Sequence, residues 1–357
     1  MSRCPVRLQV TDSERVRVAL VNSILTSSAY SNVSYPGVPG FYDFYMKHKS
    51  TTNGSSVTTD LTWLTVPLST SRSYNGGWGE TYHIYRFMTS DFARACGLHA
   101  FSVIDDTQVD AGSLFYSNGS RRYDVVVAGK SEYVTSSELG QYVAFVRSGG
   151  RLVLMDSDNF EVQVKLSSCP DACETFVNGH GWTFGKAMVH SRVWNAFPAI
   201  DSKLTASLLP EEYYVGRNIG AGTVHNNTVM GLMLYRAFGP RVMYNYSAHE
   251  ESRLVNRTGT GVVVSFSHGI DSFVHRYGQG DVVCFCLEGS RIIGSEAIAR
   301  HFLILSISTW RMVIHESRTS EKGPVASLPH VDSPQAALAA APRRARSAPQ
   351  YEPALAV

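Results

Sequence analysis

The feature that most constrains the fold is one continuous stretch, Arg122 to Asp156 (RYDVVVAGKSEYVTSSELGQYVAFVRSGGRLVLMD). Tyr123 to Ala128 is a short apolar run with Val125, Val126 and Val127 in succession, the pattern of a strand covered on both faces. Gly129 ends it. Thr135 and Glu138 then stand at capping-box spacing, in which the threonine oxygen accepts one orphan amide of a first helical turn and the glutamate reaches back to another. Leu139, Tyr142, Val143 and Val146 recur on one helical face. Gly149-Gly150 supplies a left-handed stop before Leu152 to Met155 runs as the next strand. The result is a βαβ unit with a right-handed crossover. In open parallel sheets ligands bind outside the carboxyl ends of the strands, so Lys130-Ser131-Glu132-Tyr133, read as a loop, stands at the functional rim.

Other segments repeat the alternation. Arg17 to Val21 reads as the first buried strand, with Asn22 to Tyr30 as its exit loop. Phe41, Phe44, Tyr45 and His48 fall at helical spacing, an aromatic face whose plainest use is core packing. Thr59 to Val66 reads as a strand or short helix entry ended by Pro67, and Ser73 to Gly79 as a loop. Asp91 to Cys96 reads as the last turns of a helix closed by Gly97, and Ala100 to Ile104 as a strand ending at Asp105-Asp106. Two carboxylates there suit a metal or ribose hydroxyls, although solvated turn acids are the commoner use. Val262 to Phe266 and Val282 to Leu287 read as strands, and Ser295 to Ser306 as a closing helix.

These readings divide the chain into an N-terminal extension (1–14), an α/β domain (15–316) and a Pro/Ala-rich tail (317–357) expected to be disordered. Within the domain, 157–258 carries little clean periodicity and reads as a loop-rich insertion or elaborated edge. The fold expected is a flavodoxin-like, mostly parallel sheet with helices on both faces, there being too few strand-helix pairs for an eightfold barrel.

The balance of charge excludes some functions. A net charge of +2, with no basic stripe interleaved with aromatics, argues against nucleic acid as a partner. No apolar run reaches the roughly eighteen residues of a membrane span. No signal peptide is visible at the start, which points to the cytoplasm. Asn32, Asn53, Asn118, Asn226, Asn245 and Asn256 each open a glycosylation acceptor tripeptide, and these leave an extracytoplasmic location open. Cys169 and Cys173 can close a small disulfide or give half a zinc site, whereas Cys284 and Cys286 read as buried structural cysteines on one strand face.

The central unit, together with Ser28-Ala-Tyr30, Phe41-Tyr-Asp-Phe-Tyr45 and Gly179-His-Gly-Trp182, resembles the C-terminal domain of the large (beta) subunit of N,N-dimethylformamidase and its relatives, many of them archaeal. The resemblance spans roughly Arg17 to Ser308. It implies a class I glutamine amidotransferase-like fold. Those amidotransferases carry a cysteine in the turn after a central strand; here the turn is Gly129-Lys130-Ser131, so a glutaminase using that thiol is disfavoured. Ser131 has no Gly-x-Ser-x-Gly frame around it. The dimethylformamidases hold a mononuclear iron through two tyrosines and a glutamate, oxygen donors that suit a hard cation. Tyr133 matches the family's Glu-Tyr position. By chemistry alone, Tyr30 or Tyr45 is nominated as the second tyrosine and Glu250 as the carboxylate. Lys130 departs from the histidine that relatives carry after the glycine.

Two classes of function follow. The first is a metal-assisted hydrolase of a small amide or another carbon-nitrogen bond, with Tyr133, Glu250 and Tyr30 as ligands, possible iron as the cofactor, and Glu132, His249, Lys130 and His180 as catalytic candidates. His180 lies between glycines that allow close backbone approach, which suits a site and a tight turn equally. The second is a binding or surface protein that keeps the fold without the chemistry; the plain reading of Glu132 is then a helix-entry charge and of Tyr133 a packed aromatic. A carbohydrate-related variant of it would stack a sugar on Trp78 or Trp182 at the same rim.

Overall fold

A computed structural model describes residues 16–29, 58–60, 80–156, 159–167, 173–179, 211–214, 221–243, 251–254, 259–266, 271–285, 287 and 289–310. Contacts divide the chain into Met1–Ser317 and Arg318–Val357, and all described residues lie in the first unit. The expected extension, the tail and the aromatic-faced helix at Phe41 lie outside the described residues.

The first half of the unit runs β1 (Val18–Asn22), α1 (Ile24–Ala29), β2 (Thr58–Asp60), α2 (Glu80–Met88), α3 (Asp91–Ala95), β3 (Ser102–Asp105) and α4 (Asp106–Asp110). The central unit follows as β4 (Val125–Ala128), β5 (Ser131–Thr135), α5 (Ser136–Arg147) and β6 (Arg151–Leu154). Then come β7 (Asn159–Ser167), β8 (Cys173–Gly179), β9 (Glu211–Tyr214), β10 (Ala221–Val224), α6 (Val229–Phe238), β11 (Arg241–Met243) and β12 (Glu251–Leu254). The last elements are β13 (Thr260–Ser265), β14 (Asp271–Tyr277), β15 (Gly280–Cys284), α7 (Gly289–Ile292) and α8 (Ala297–Ser308).

A nine-stranded mixed sheet in the order β11-β10-β13-β14-β15-β6-β4-β1-β3 carries the fold. Its strands from β3 to β15 are parallel, and β14, β13, β10 and β11 extend it antiparallel. Side chains alternate between two cores. Val18, Leu20, Val125, Val127 and Val153 join Phe285, Phe302 and Leu303 on one face, whereas Ala19, Val21, Val126, Ala128 and Leu152 join Leu139, Tyr142 and Val146 on the other. This double burial is why β4 tolerates three successive valines: every position has hydrocarbon to meet.

The helix of the central unit forms as its punctuation requires. Thr135 Oγ1 accepts from Glu138 N at 2.9 Å. At the other end Gly149, at φ +100°, and Gly150 return their amides to the Val146 and Phe145 carbonyls, a Schellman stop. The glutamate half of the capping box is displaced, however. The Glu138 carboxyl accepts from Tyr142 Oη at 3.0 Å and turns to Asp106, the Thr135 amide being the weakest influence on it.

Three expectations are corrected. The exit loop after β1 is instead α1, whose Leu25 amide is taken by Asp106 Oδ2 at 2.8 Å, a cap supplied by a residue remote in sequence. Lys130 to Tyr133 is not a loop: Ser131 to Thr135 pairs in parallel with β7 in a second sheet, β2-β8-β7-β5. The region 157–258, read as a loop-rich insertion or elaborated edge, contributes β10 and β11 to the outer edge of the main sheet, and its Val224, Met230, Leu234 and Val242 enter the core. Asp106 is no solvated turn acid; it is fully buried, while Asp105 makes a capping box with Gln108. Of the cysteines, Cys284 is buried with its Sγ 3.8 Å from the Asp156 carbonyl, and Cys96, also buried, is disulfide-bonded.

Candidate functional site

The five parallel strands grow outward from β1, first to β3 on one side and then to β4, β6 and β15 on the other. The chain therefore leaves β1 and β4 toward opposite faces and opens a crevice between their carboxyl ends. Asn22 and Ser23 lie on one side of it, Gly129, Lys130 and Ser131 on the other. Gly129 packs closely under α2: a Cβ there would stand 3.3 Å from the Ile84 side chain and 3.6 Å from the Thr81 amide nitrogen, so Ile84 would have to shift slightly. Hydrogen bonds between described residues bridge the crevice. Ser23 Oγ and Ser131 Oγ are 3.1 Å apart, and the Tyr133 amide donates to Thr26 Oγ1 at 3.1 Å.

The three described candidates from the sequence sit together here and are enclosed. Lys130 is 2% exposed, Glu132 1% and Tyr133 0%, and Lys130 Nζ lies 3.7 Å from Glu132 Oε2. An ion pair so buried trades heavy desolvation for Coulomb attraction and ties the two side chains to one geometry. Glu132 and Tyr133, placed by the sequence at the functional rim, occupy that end of the sheet under cover. A cavity of about 520 Å³ lies instead at the opposite end of β1, against Arg17, His99, Phe101, Tyr116 and Arg122.

Beneath the crevice lies a pair of acids that sequence reasoning missed as a pair. Asp106, the first residue of α4, and Glu138, in the first turn of α5, are both fully buried and interact directly. Burial above all raises Asp106 to about 7, against the opposing Leu25 amide, and burial and then the Asp106 charge hold Glu138 well above the usual carboxylate range. Tyr142 is likewise raised by burial and by Glu138. The one signal in the sequence was a carboxylate pair directly after a strand; that Glu138 would meet Asp106 had none.

His180, His249, Glu250 and Tyr30 lie outside the described residues, as do Tyr45, Trp78 and Trp182. Among the described residues no group of three or more His, Cys, Asp and Glu comes together to hold a metal. A shell built on Tyr133 therefore draws its other ligands from beyond them. The nominated donors, phenol and carboxylate oxygens, match a hard cation. Among the described residues no helix is long and apolar enough to cross a membrane.

No curated protein matches the chain in sequence. Among solved structures it is similar to a cold-adapted β-galactosidase from Rahnella sp. R3, at 14% identity and TM-score 0.41, over 84% of this chain and 32% of that one. An exo-β-1,4-mannosidase from an Opitutaceae bacterium matches at 11% identity and TM-score 0.35, over 65% of this chain and 30% of that one. A cytoplasmic protein from Salmonella typhimurium matches at 11% identity and TM-score 0.37, over 59% of this chain and 81% of that one. The chain spans about a third of the length of the first two, and likenesses this slight carry no argument about activity. The sequence match is of another order, because it runs from residue 3 to residue 274 and so takes in β1, the central βαβ unit, the acid pair and the second sheet. By that match the chain belongs to the family described as N,N-dimethylformamidase beta subunit-like, C-terminal.

Proposed function

We propose that the chain is a hydrolase of a small amide or related carbon-nitrogen bond, assisted by a metal ion. The observation that carries this reading is family membership across residues 3–274, combined with the place of Lys130, Glu132 and Tyr133 directly after β4. The order β3-β1-β4-β6-β15 supports a flavodoxin-like reading, in which ligands would sit where the order reverses, in the crevice between β1 and β4. Tyr133, with Glu250 and either Tyr30 or Tyr45, would hold the metal, with iron the candidate. Such an ion, when bound, supplies Lewis acidity to an amide carbonyl and lowers the pKa of a water.

The protein's own groups do the rest. Glu132 or His249 takes a proton from the attacking water and returns it to the nitrogen as the carbon-nitrogen bond breaks, leaving a carboxylic acid and an amine. Lys130, 3.7 Å from Glu132, fixes that carboxylate in place by its charge. Burial of all three residues keeps bulk water away and strengthens every charge interaction among them.

The same burial favours a second reading, a binding protein of this fold without catalysis, in which the Lys130–Glu132 pair and Tyr133 are sealed parts of the sheet junction. Metal analysis of purified wild type and Tyr133→Phe separates the two. The hydrolase reading expects metal in the wild type and its loss in the variant, with hydrolysis of small formamides lost in parallel. Equal metal in both removes Tyr133 from the ligand set, and no metal in either leaves the binding reading.

A further inference from the structure

The Asp106 and Glu138 carboxyls have an unusual inventory of partners. Asp106 Oδ2 accepts the Leu25 amide at 2.8 Å, and Glu138 Oε1 accepts the Tyr142 hydroxyl at 3.0 Å. Asp106 Oδ1 and Glu138 Oε2 are buried and receive no hydrogen bond from a donor among the described residues. Two carboxylates left this way would each hold an unsatisfied buried oxygen and repel one another in a low dielectric. One proton between the two spare oxygens removes both penalties.

Among the described residues the neighbours supply no cation that could do the same. On β3 and α4 the nearby ionisable groups are Asp105 and Asp110, both acids, Asp105 engaged with Gln108 and Thr107 and Asp110 accepting from Thr135. On α5 the group is Tyr142, and α1 (ILTSSA) brings none. On β5 they are Glu132 and Tyr133, and the basic group there, Lys130, is ion-paired with Glu132.

We propose that Asp106 and Glu138 share a single proton and thereby clamp α1 to α4 and α5, positioning the strand that carries Lys130 to Tyr133. The mechanical path is short. Asp106 holds the first turn of α1 through Leu25; α1 carries Thr26, which accepts the Tyr133 amide; and Ser23, just ahead of α1, meets Ser131. With the proton present, Glu138 donates to Asp106 and three helix starts are held at one point. Its loss leaves two adjoining negative charges, and the weakest attached element, the six-residue α1, releases. These are positioning residues, and the inference stands whether or not the chain is a hydrolase.

The sign follows from linkage. Both groups titrate higher in the folded protein than in an unfolded chain, so the folded form keeps a proton that the unfolded form gives up. Their contribution to stability is complete below the ordinary carboxyl range and is lost as pH rises through about 7 and beyond. Glu138→Gln puts an amide N–H where the shared proton was and cannot ionise. Between pH 5 and 9 the unfolding constant of the wild type should rise at least about tenfold more than that of Glu138→Gln, the effect of a single pKa unit. Parallel profiles overturn the proposal. The wild type alone gives a second reading: at pH 7 infrared spectra should show an undissociated carboxyl, and as that band titrates away, hydrogen exchange at α1 and at the Tyr133 amide should accelerate together. Absence of the band, or unchanged protection of α1 after its loss, also overturns it.

Discussion

The two ends of the parallel strands treat buried charge in opposite ways. At the amino ends Arg151 and Asp124 each have a charged complement. Arg151, at the start of β6 and fully buried, gives Nε and Nη2 to the Asp281 carboxylate at 2.6 and 2.7 Å, and Nη1 to the Ser306 carbonyl and Thr309 hydroxyl at 2.8 and 2.9 Å. Asp124, just before β4, takes the Arg17 amide at 2.9 Å and its guanidinium at 2.8 and 3.2 Å, and this raises the Arg17 pKa further. At the carboxyl ends the acids crowd together, with two orphaned oxygens and a buried Lys–Glu pair. The amino edge pairs these charges, and the carboxyl edge holds its groups in states that a proton or ligand can change. The fold concentrates electrostatic tension at the carboxyl ends of its parallel strands.

The largest test of that contrast is Arg151→Ala. It strands the Asp281 carboxylate inside the protein and should cost about 3–5 kcal/mol of stability in chemical denaturation. Arg151→Met combined with Asp281→Leu removes both charges together; it should recover most of the loss and leave the pH dependence governed by Asp106 and Glu138 untouched. A double variant with a flattened pH profile would mean that the two edges are not separable.

A middle-sized effect is expected at Gly150, whose added Cβ would stand 2.4 Å from the Phe145 ring. Gly150→Ala should destabilise by about 1–3 kcal/mol, seen as a lowered Tm at every pH. Thr135→Ala, which removes the N-cap of α5 beside the acid pair, should cost about 1 kcal/mol. Its urea midpoint should shift while Tyr142 stays buried by fluorescence quenching. The smallest effect is at the amino edge: Arg17, its side chain 46% exposed, should lose no more than about 1 kcal/mol on substitution by Ala, and less in high salt.

Much of the frame was readable without coordinates. The consecutive valines of β4, the threonine cap and the paired glycines announced strand, helix and stop, because each acts within a few residues of itself. The placement of Lys130, Glu132 and Tyr133 at the carboxyl ends followed from that alone. The elements misread were those whose partners are distant. Residues Ser23 to Ala29 look like a polar loop until Asp106 caps them, and Ser131 to Thr135 looks like a turn until β7 lies alongside. Glu138 looked like a capping glutamate because spacing speaks for local bonds only.

By itself the sequence determined the doubly covered βαβ centre and the family to which the chain belongs, since periodicity, caps and motif residues are local chemistry. Only the tertiary structure decided that the rim is enclosed and that Asp106 meets Glu138. Burial and charge coupling depend on which remote segments exclude water from a group, and no residue carries that in its neighbours along the chain.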